Sequence, residues 1–156
     1  MSDLGFEFDR LLRFDDSAQI QEDIAAGTTV IVDRYVYSGI VYSAAKVNPS
    51  LTLEWARKPD EGLPRPDACL FLSISPEEAA KRGGYGDERY EKKEMQDRVR
   101  QLFSQLRTTS PDRDNFVEID GGRDAATVET DVRQVVQQIF DDVDASKKPL
   151  GVFEAW

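Results

Sequence analysis

The chain has 156 residues, of which 40% are hydrophobic and 32% charged, and its formal net charge is −10. This length and balance predict a single compact domain over residues 1–156, whose acid excess favours solubility. The same composition argues against a large nucleic-acid-binding face, and no stretch approaches the roughly 18 apolar residues of a membrane span.

The first part of the chain predicts a helix, a strand and a second helix. Residues 2–27 carry apolar side chains at loose helical spacing and end at Gly27, a suitable C-terminal stop. The next run, "TTVIVD", is β-branched without polar alternation, which predicts a central parallel strand covered on both faces. "SGIVYSAAK" then predicts a helix with Ser38 as its N-cap.

The remaining chain alternates helices with two further strands. A short helix in "LTLEWARK" breaks at Pro59, and a Pro/Gly-rich connection leads to a strand over 68–74. "SPEE" predicts a helix start, "RGGYGDERYE" interrupts that helix, and another helix follows from about Lys93 to Leu106. "NFVEID" predicts a third strand and "DAATVETDVRQVVQQIFDDV" an amphipathic helix, whereas "ASKKPLGVFEAW" is expected to be a loose tail. Strands separated by helices imply an α/β fold with a parallel sheet and right-handed crossovers.

The chain has one cysteine, Cys69, and no histidine. A single cysteine cannot form an internal disulfide, and Cys69 lies in the apolar run "ACLFLSI", so we expect a reduced core residue. The absence of histidine excludes His-based triads, His-ligated zinc sites and histidine general bases. No signal-peptide pattern opens the chain, so the expected location is the cytoplasm, the nucleus or both.

Asp33 and Arg34 directly follow the first predicted strand. Ligands of open α/β sheets bind at the carboxyl ends of strands. A carboxylate there can hold a hydrated Mg²⁺, and a guanidinium can form bidentate bonds to phosphate oxygens. The dipeptide alone leaves a second interpretation open, a salt bridge that caps the strand.

Three segments, "DRYVYSGIVYSAAK", "PDEGLPRPDACLFL" and "RGGYGDERYE", resemble in this order the eukaryotic, and especially fungal, thymidylate kinase family. The C-terminal "KPLG" before an aromatic end is also similar, and the resemblance runs from about Gly27 to Trp156. Three motifs in register are more specific than any single short motif. The resemblance implies a P-loop NTPase-like nucleoside monophosphate kinase fold, a parallel sheet flanked by helices. It also implies Mg²⁺-dependent phosphoryl transfer from ATP to dTMP.

The resemblance further implies a dTMP site after the first strand. Asp33 would act near the metal and the phosphate oxygens, and Arg34 would clamp the phosphate of dTMP. Gly39 would allow close approach of the backbone to the nucleotide, and Tyr42 would lie against the deoxyribose. Ordinary helix packing is the alternative explanation for Gly39 and Tyr42. The family is typically homodimeric, and the apolar face of the helix after Asp33 is the expected interface.

Residues 82–91 are implied to form a lid with glycine hinges and cationic side chains. The family places Arg82 against the adenine of ATP and Tyr90 at the sugar, and Arg89 would offer charge to the polyphosphate. A solvated Gly-rich loop is the alternative explanation for this segment.

Further site residues come from outside the lid. The family places Gln96 near the thymidine, and "IDGGRD" matches the loop near the adenine, with Gly122 and Arg123 as candidates. Family members also have a helix close to "FSANRWE", whose Phe stacks on thymine and whose Arg bonds the base. Counting back from Gly27 without gaps places Arg13 at this arginine, and no stacking residue is assigned.

No G-x-x-x-x-G-K-[S/T] loop, the usual cradle of a triphosphate, occurs in the 156 residues. Family members carry this loop in a first strand–loop–helix unit, which is absent from this sequence. We therefore expect little or no kinase activity from this polypeptide alone, and marginal stability because the sheet lacks a central neighbour. The alternative function is a non-catalytic nucleotide-binding or dimer-partner protein derived from the kinase. A kinase for another monophosphate would leave the full match of "DRYVYSGIVYSAAK" unexplained.

Overall fold

The computed structural model describes residues 16–46, 48, 50–81 and 93–156. Within these ranges residues 16–25 are helical (α1), and the helix ends at Gly27 as predicted. Gly27 has a φ of +82°, a conformation that glycine adopts without steric cost. The N–H groups of Gly27 and Thr28 donate to the carbonyls of Ile24 and Asp23, each at 2.9 Å. This is the Schellman pattern that closes a helix C-terminus.

Two strand pairs form in the described part of the chain. β1 (Pro64–Arg65) pairs antiparallel with β4 (Gly151–Val152). β2 (Cys69–Ser73) pairs parallel with β3 (Phe116–Asp120), in a register that places Cys69 opposite Phe116. The parallel pair, with helices between its strands, agrees with the predicted α/β class. The β1–β4 pair has no counterpart among the sequence predictions.

The strand predicted from "TTVIVD" does not form, so this prediction is wrong. Residues 28–32 belong to neither helix nor strand, and Ile31 is 92% exposed. In the described part of the chain β2 has β3 as its strand neighbour, and no strand lies beside residues 28–32. A β-branched run becomes a strand only where a neighbour supplies backbone hydrogen bonds and covers its side chains.

The described helices after α1 keep the predicted order. They are α2 (Val36–Ala44), α3 (Leu53–Arg57), α4 (Pro76–Lys81), α5 (Lys93–Thr109) and α6 (Ala125–Ser146). Short 3₁₀ turns occupy Lys58–Asp60 and Arg113–Asn115. None of the helices within the described ranges is both long and apolar enough to cross a membrane.

One helix start follows its predicted local signal, and another departs from it. Ser75 Oγ accepts the N–H of Glu78 at 3.1 Å at the start of α4, as predicted from "SPEE". Ser38, by contrast, is not the N-cap of α2, because the helix begins at Val36 with Tyr35 in the cap position. The carbonyl of Tyr35 already accepts the N–H of Ser38 at 3.2 Å, which places Ser38 inside the first turn.

Helix α2 forms the centre of the main core. Val36, Ile40, Val41 and Ala44 are at most 1% exposed, as expected of a helix that is apolar on most of its circumference. α3 and α5 pack against α2. The chain itself therefore covers the apolar side chains of α2. The expectation that these side chains form a dimer interface is corrected, because they are buried within the chain.

Helix α5 is attached to the parallel strands through Arg107. Its guanidinium lies 4.4 Å from the ring centroid of Phe71 on β2 and donates to Glu118 Oε2 on β3 at 2.7 Å. This hydrogen bond lowers the pKa of Glu118. One cation thus joins both strands to the helix that covers them.

The C-terminal segment docks into the core, so the expectation of a loose tail is wrong. Phe153 is 1% exposed. Its N–H donates to the carbonyl of Leu63 at 2.9 Å, and its carbonyl accepts the N–H of Gly62 at 2.9 Å. Burial of an aromatic side chain of this size is a large favourable contribution to folding.

A buried ion pair fixes the C-terminal segment to two other parts of the chain. Arg57 Nη1 lies 2.5 Å from Asp112 Oδ2, with side-chain exposures of 0% and 2%. Arg57 Nε donates to the carbonyl of Glu154 at 2.6 Å, and Arg65 Nη1 lies 3.7 Å from Asp112 Oδ1. A buried charge of this kind requires its partner, because neither ion retains water to replace the other.

We expect Asp112→Ala to destabilise the protein by roughly 3–5 kcal/mol, because it leaves the buried Arg57 charge without its carboxylate. Urea unfolding followed by circular dichroism measures this change. Asp114→Ala is the matched control: the Asp114 side chain is 87% exposed and lies 3.6 Å from Arg113, so its loss should cost at most about 1 kcal/mol. Equal destabilisation by the two variants would contradict the importance of the buried pair.

Candidate functional site

Asp33 and Arg34 form an exposed turn directly before α2. Arg34 has a φ of +57°, a left-handed conformation that costs a residue with a side chain roughly 1–2 kcal/mol. Neither side chain makes an ion pair or hydrogen bond with another residue of the described ranges. The salt-bridge interpretation of this dipeptide is therefore not supported within those ranges, and both charged groups face solvent.

Aromatic rings pack beneath this turn. The ring centroid of Tyr35 lies 6.2 Å from that of Phe153. Tyr37 contacts Phe153 edge-on at 5.3 Å and Phe116 at 4.5 Å. The turn is thus supported by a hydrophobic cluster that reaches β3 and the C-terminal segment.

The titratable groups next to the cluster remain protonated near neutral pH. Burial raises the pKa of Tyr37, with a smaller contribution from the Asp112 charge. Burial also raises the pKa of Cys69 to about 11; the residue was predicted to lie in the core, and it is partly buried and packs against the core. Neither group can serve as a general base at neutral pH, because each would have to lose its proton.

Two predicted substrate contacts lie on α2 and a third on α5. Gly39 is half-buried and Tyr42 is 37% exposed; residues three apart share one side of a helix. Their side of α2 is the less buried one, and the helix begins two residues after Arg34. Gln96 is half-buried in the first turns of α5, which packs against α2.

The predicted adenine loop follows β3, at the carboxyl end of the parallel strands. The N–H of Gly121 donates to the carbonyl of Ser73 at 2.7 Å, and a Cβ on Gly121 would lie 3.2 Å from that oxygen. The N–H of Gly122 donates to Asp120 Oδ1 at 2.8 Å. Arg123 donates to the Asp120 carbonyl at 3.3 Å and also pairs with Asp131. The charge of Arg123 is therefore already largely neutralised.

An open cavity of about 610 Å³ borders this loop. It is lined by Leu72, Gly121, Arg123, Asp124, Ala125, Val128 and Glu129. Leu72, Ala125 and Val128 provide an apolar wall, while backbone and carboxylate groups lie at its edge. Such a combination suits a flat ring with polar edges better than it suits a polyanion. Sequence reasoning missed the apolar wall, although Leu72 and Val128 lie in elements that it predicted.

Four predicted site residues lie outside the described residues: Arg13, Arg82, Arg89 and Tyr90. Of the others, Asp33, Arg34, Gly39 and Tyr42 lie at the turn and on α2, and Gln96 lies on α5, which packs against α2. Gly122 and Arg123 lie in the loop after β3.

The parallel strands with helices between them define a protein of the α/β class. A family model described as thymidylate kinase matches residues 4–132. The chain therefore belongs to the thymidylate kinase family, which confirms the resemblance found in the sequence.

Several named relatives give the extent of this similarity. The chain is 41% identical over 128 residues to thymidylate kinase of Schizosaccharomyces pombe, covering 81% of this chain and 60% of the relative. It is 37% identical over 144 residues to the Homo sapiens thymidylate kinase, covering 92% of this chain and 64% of the relative. It thus spans less than two thirds of these curated relatives.

A solved structure shows the same fold. The thymidylate kinase from Candida albicans superposes with a TM-score of 0.68 at 30% identity. The match covers 99% of this chain and 74% of that structure.

The loop beside the cavity gives a pH-dependent prediction. Hydrogen bonds from Thr127, through its hydroxyl and its backbone N–H, hold the pKa of Asp124 below its ordinary value of 3.8. A carboxylate whose pKa is lower in the folded state than in the unfolded state stabilises the fold fully at pH values above its unfolded-state pKa. This stabilisation is lost as the pH falls through its folded-state pKa. The contribution of Asp124 to the start of α6 should therefore be complete above pH 3.8 and disappear below it.

The matched variant is Asp124→Asn, because asparagine is a comparable N-cap that does not titrate. We compare the urea midpoint of unfolding of the wild type with that of this variant. We expect the difference to stay constant at higher pH and to decrease once the pH is below about 4. Urea unfolding at a series of pH values measures the difference. A difference that does not change between about pH 6 and pH 2 would refute the role of the carboxylate.

Proposed function

We propose that this chain carries the nucleotide-contacting part of a thymidylate kinase, an enzyme that transfers the γ-phosphoryl group of ATP to dTMP and so supplies dTTP synthesis. The observation that carries the proposal is the exposed Asp33–Arg34 turn, held in a left-handed conformation before the buried helix α2, in a chain of this family. Unfavourable backbone conformations persist where a function requires them. The proposal treats residues 1–156 as one domain with a lid at 82–91, acting in the cytoplasm, the nucleus or both.

Arg34 clamps the phosphate of dTMP. Its guanidinium is exposed and has no carboxylate partner within the described ranges, so it is available for a bidentate bond to phosphate oxygens. Gly39 and Tyr42, on the same side of α2, lie against the nucleotide, and Gln96 of α5 contacts the thymidine. Arg13 and Tyr90 are assigned to the base and the sugar from the family resemblance.

Asp33 is the proposed metal ligand. Its exposed carboxylate is a hard oxygen donor that fits Mg²⁺. The described residues contain no group of three side chains that could hold a metal ion, and Mg²⁺ commonly takes its remaining ligands from substrate phosphates and water. When bound, Mg²⁺ would neutralise charge that develops on the phosphate oxygens.

The cavity after β3 is the proposed adenine site. Its apolar wall of Leu72, Ala125 and Val128 suits the face of a purine ring, and Gly122 and Arg123 lie at its edge. Because Arg123 is paired with carboxylates, it orients the loop and does not clamp polyphosphate. Arg82 and Arg89 of the lid segment are proposed to meet the ATP instead.

Catalysis of this kind depends on positioning and charge neutralisation and needs no protein nucleophile.

The 156 residues contain no triphosphate-cradling loop. The second candidate is a non-catalytic nucleotide-binding or dimer-partner protein, in which the dTMP site remains but transfer does not occur. A homodimer is proposed without an assigned surface, since the apolar side chains of α2 are covered by this chain.

We expect Arg34→Ala to weaken dTMP binding roughly 10- to 100-fold, since one charge-assisted hydrogen bond contributes about 1.5–3 kcal/mol. Arg34→Lys should be intermediate, because lysine keeps the charge but not the bidentate geometry. Isothermal titration calorimetry measures both. Arg113→Ala, at an exposed position without an assigned role, is the control and should bind dTMP as the wild type does. Unchanged affinity of the Arg34→Ala variant would remove the basis of the proposed dTMP site.

A coupled assay for ADP separates the two candidate functions. We expect the 156-residue polypeptide alone to show little or no turnover with ATP and dTMP, because removal of even one preorganised donor costs about 3–4 kcal/mol of transition-state stabilisation. Separate titrations with dTMP and ATP complete the test. Binding of dTMP alone supports the binding protein, and turnover equal to that of longer relatives would exclude it.

A further inference from the structure

We propose that Phe153 is a positioning residue for Arg34: its ring, acting through Tyr35 and Tyr37, fixes the turn that presents the phosphate-binding guanidinium. The proposal rests on the proposed dTMP site and assigns to the C-terminal segment a part in substrate binding. Phe153 touches no substrate in this scheme. It acts at a distance, through the backbone of the turn.

The ring of Phe153 contacts the side chains that follow Arg34. Its centroid lies 6.2 Å from that of Tyr35 and 5.3 Å from that of Tyr37, with the last pair at an interplanar angle of 77°. Tyr35 is the N-cap residue of α2, and Tyr37 is the second residue of the helix. Phe153 therefore holds the helix start on both sides of Val36.

The start of α2 has no side-chain cap. Tyr35 provides no side-chain hydrogen bond to the first turn of α2, in contrast to Asp124, whose carboxylate caps α6. Arg34 nevertheless keeps a φ of +57°. Such a conformation persists in a residue with a side chain only where the surrounding structure fixes it. Packing of Tyr35 and Tyr37 on Phe153 is a tertiary contact next to this turn that can do so.

Phe153 is itself held firmly enough to act as a support. Its backbone hydrogen-bonds to Leu63 and Gly62, next to the β1–β4 pair. The guanidinium carbon of Arg57 lies 5.2 Å from the ring centroid, and Arg57 Nε donates to the neighbouring carbonyl of Glu154. The buried Arg57–Asp112 pair thus anchors the segment whose ring supports the turn.

The test compares two substitutions of Phe153 with a control of similar burial. Phe153→Ala removes the ring, and Phe153→Leu keeps apolar volume while removing the aromatic contacts, which protects the test if the alanine variant does not fold. Ile119→Ala is the control, since Ile119 is 3% exposed but lies on β3 outside the core cluster around α2. All variants are measured at a temperature at which circular dichroism shows them folded.

The first measurement is dTMP affinity by calorimetry. We expect the dissociation constant to rise on the order of tenfold in Phe153→Ala, less in Phe153→Leu, and not in Ile119→Ala, because a small displacement of a positioned group has a large effect. A purely structural role of Phe153 would affect binding no more than the Ile119 control does.

The second measurement follows the turn without any nucleotide. Trypsin cleaves after arginine, so the cleavage rate at Arg34–Tyr35, relative to that at the exposed Arg123–Asp124 bond and quantified by mass spectrometry, reports how firmly the turn is held. We expect this ratio to rise several-fold in the Phe153 variants, following the opening of the turn, and to stay constant in Ile119→Ala.

The two readouts separate this inference from the proposed function. Weaker binding together with faster cleavage at Arg34 supports the inference. Unchanged cleavage overturns it, whatever happens to binding, and so does faster cleavage with unchanged dTMP affinity. If the wild type does not bind dTMP, the proposed function fails, whereas faster cleavage would still support the hold of Phe153 on the turn.

Discussion

The described tertiary structure depends most on the contacts of the Arg57 guanidinium. It is fully buried, and it joins α3 to Asp112 in the connection between α5 and β3 and to the C-terminal carbonyl of Glu154. Its guanidinium carbon also lies 5.2 Å from the ring centroid of Phe153. Three segments that are far apart in the sequence are therefore held by one side chain, and each of them would leave a buried charge unsatisfied if it moved away.

This arrangement places the main core around a helix and not around a sheet. Six of the nine residues of α2 are buried, whereas Leu72 of the parallel pair is 54% exposed. Because burial contributes about 25 cal/mol per Å² of apolar surface, the buried side chains of α2 favour folding. The turn at Arg34 thus directly precedes a helix that packs in the core, while the cavity after β3 lies beside the parallel pair.

Local signals predicted the fold where local interactions decide it. The C-terminal stop at Gly27 and the cap at Ser75 depend on hydrogen bonds within a few residues. The strand predicted from "TTVIVD" did not form, because strand formation needs a neighbouring strand, which the composition of the run does not reveal. The prediction of a loose C-terminal tail failed for a related reason. The hydrogen bond between Arg57 and Glu154 spans 97 residues, and no spacing rule reports such a contact. At the candidate site the sequence identified the charged turn through its motif, but neither the positive φ of Arg34 nor the ring beneath it is visible in a residue pattern.

The net charge of the chain bears on how the proposed site would bind an anionic substrate. A chain of net charge −10 has no long-range attraction for a nucleotide, and at physiological salt the field of its acids is screened within about 8 Å. Affinity for a phosphate must then come from short-range contacts whose donors are already in place. An arginine whose backbone is constrained loses less backbone freedom on binding than one on a mobile loop. The buried ion pair, the ring of Phe153 and the left-handed turn therefore form one chain of support, which converts core packing into the placement of a single exposed cation.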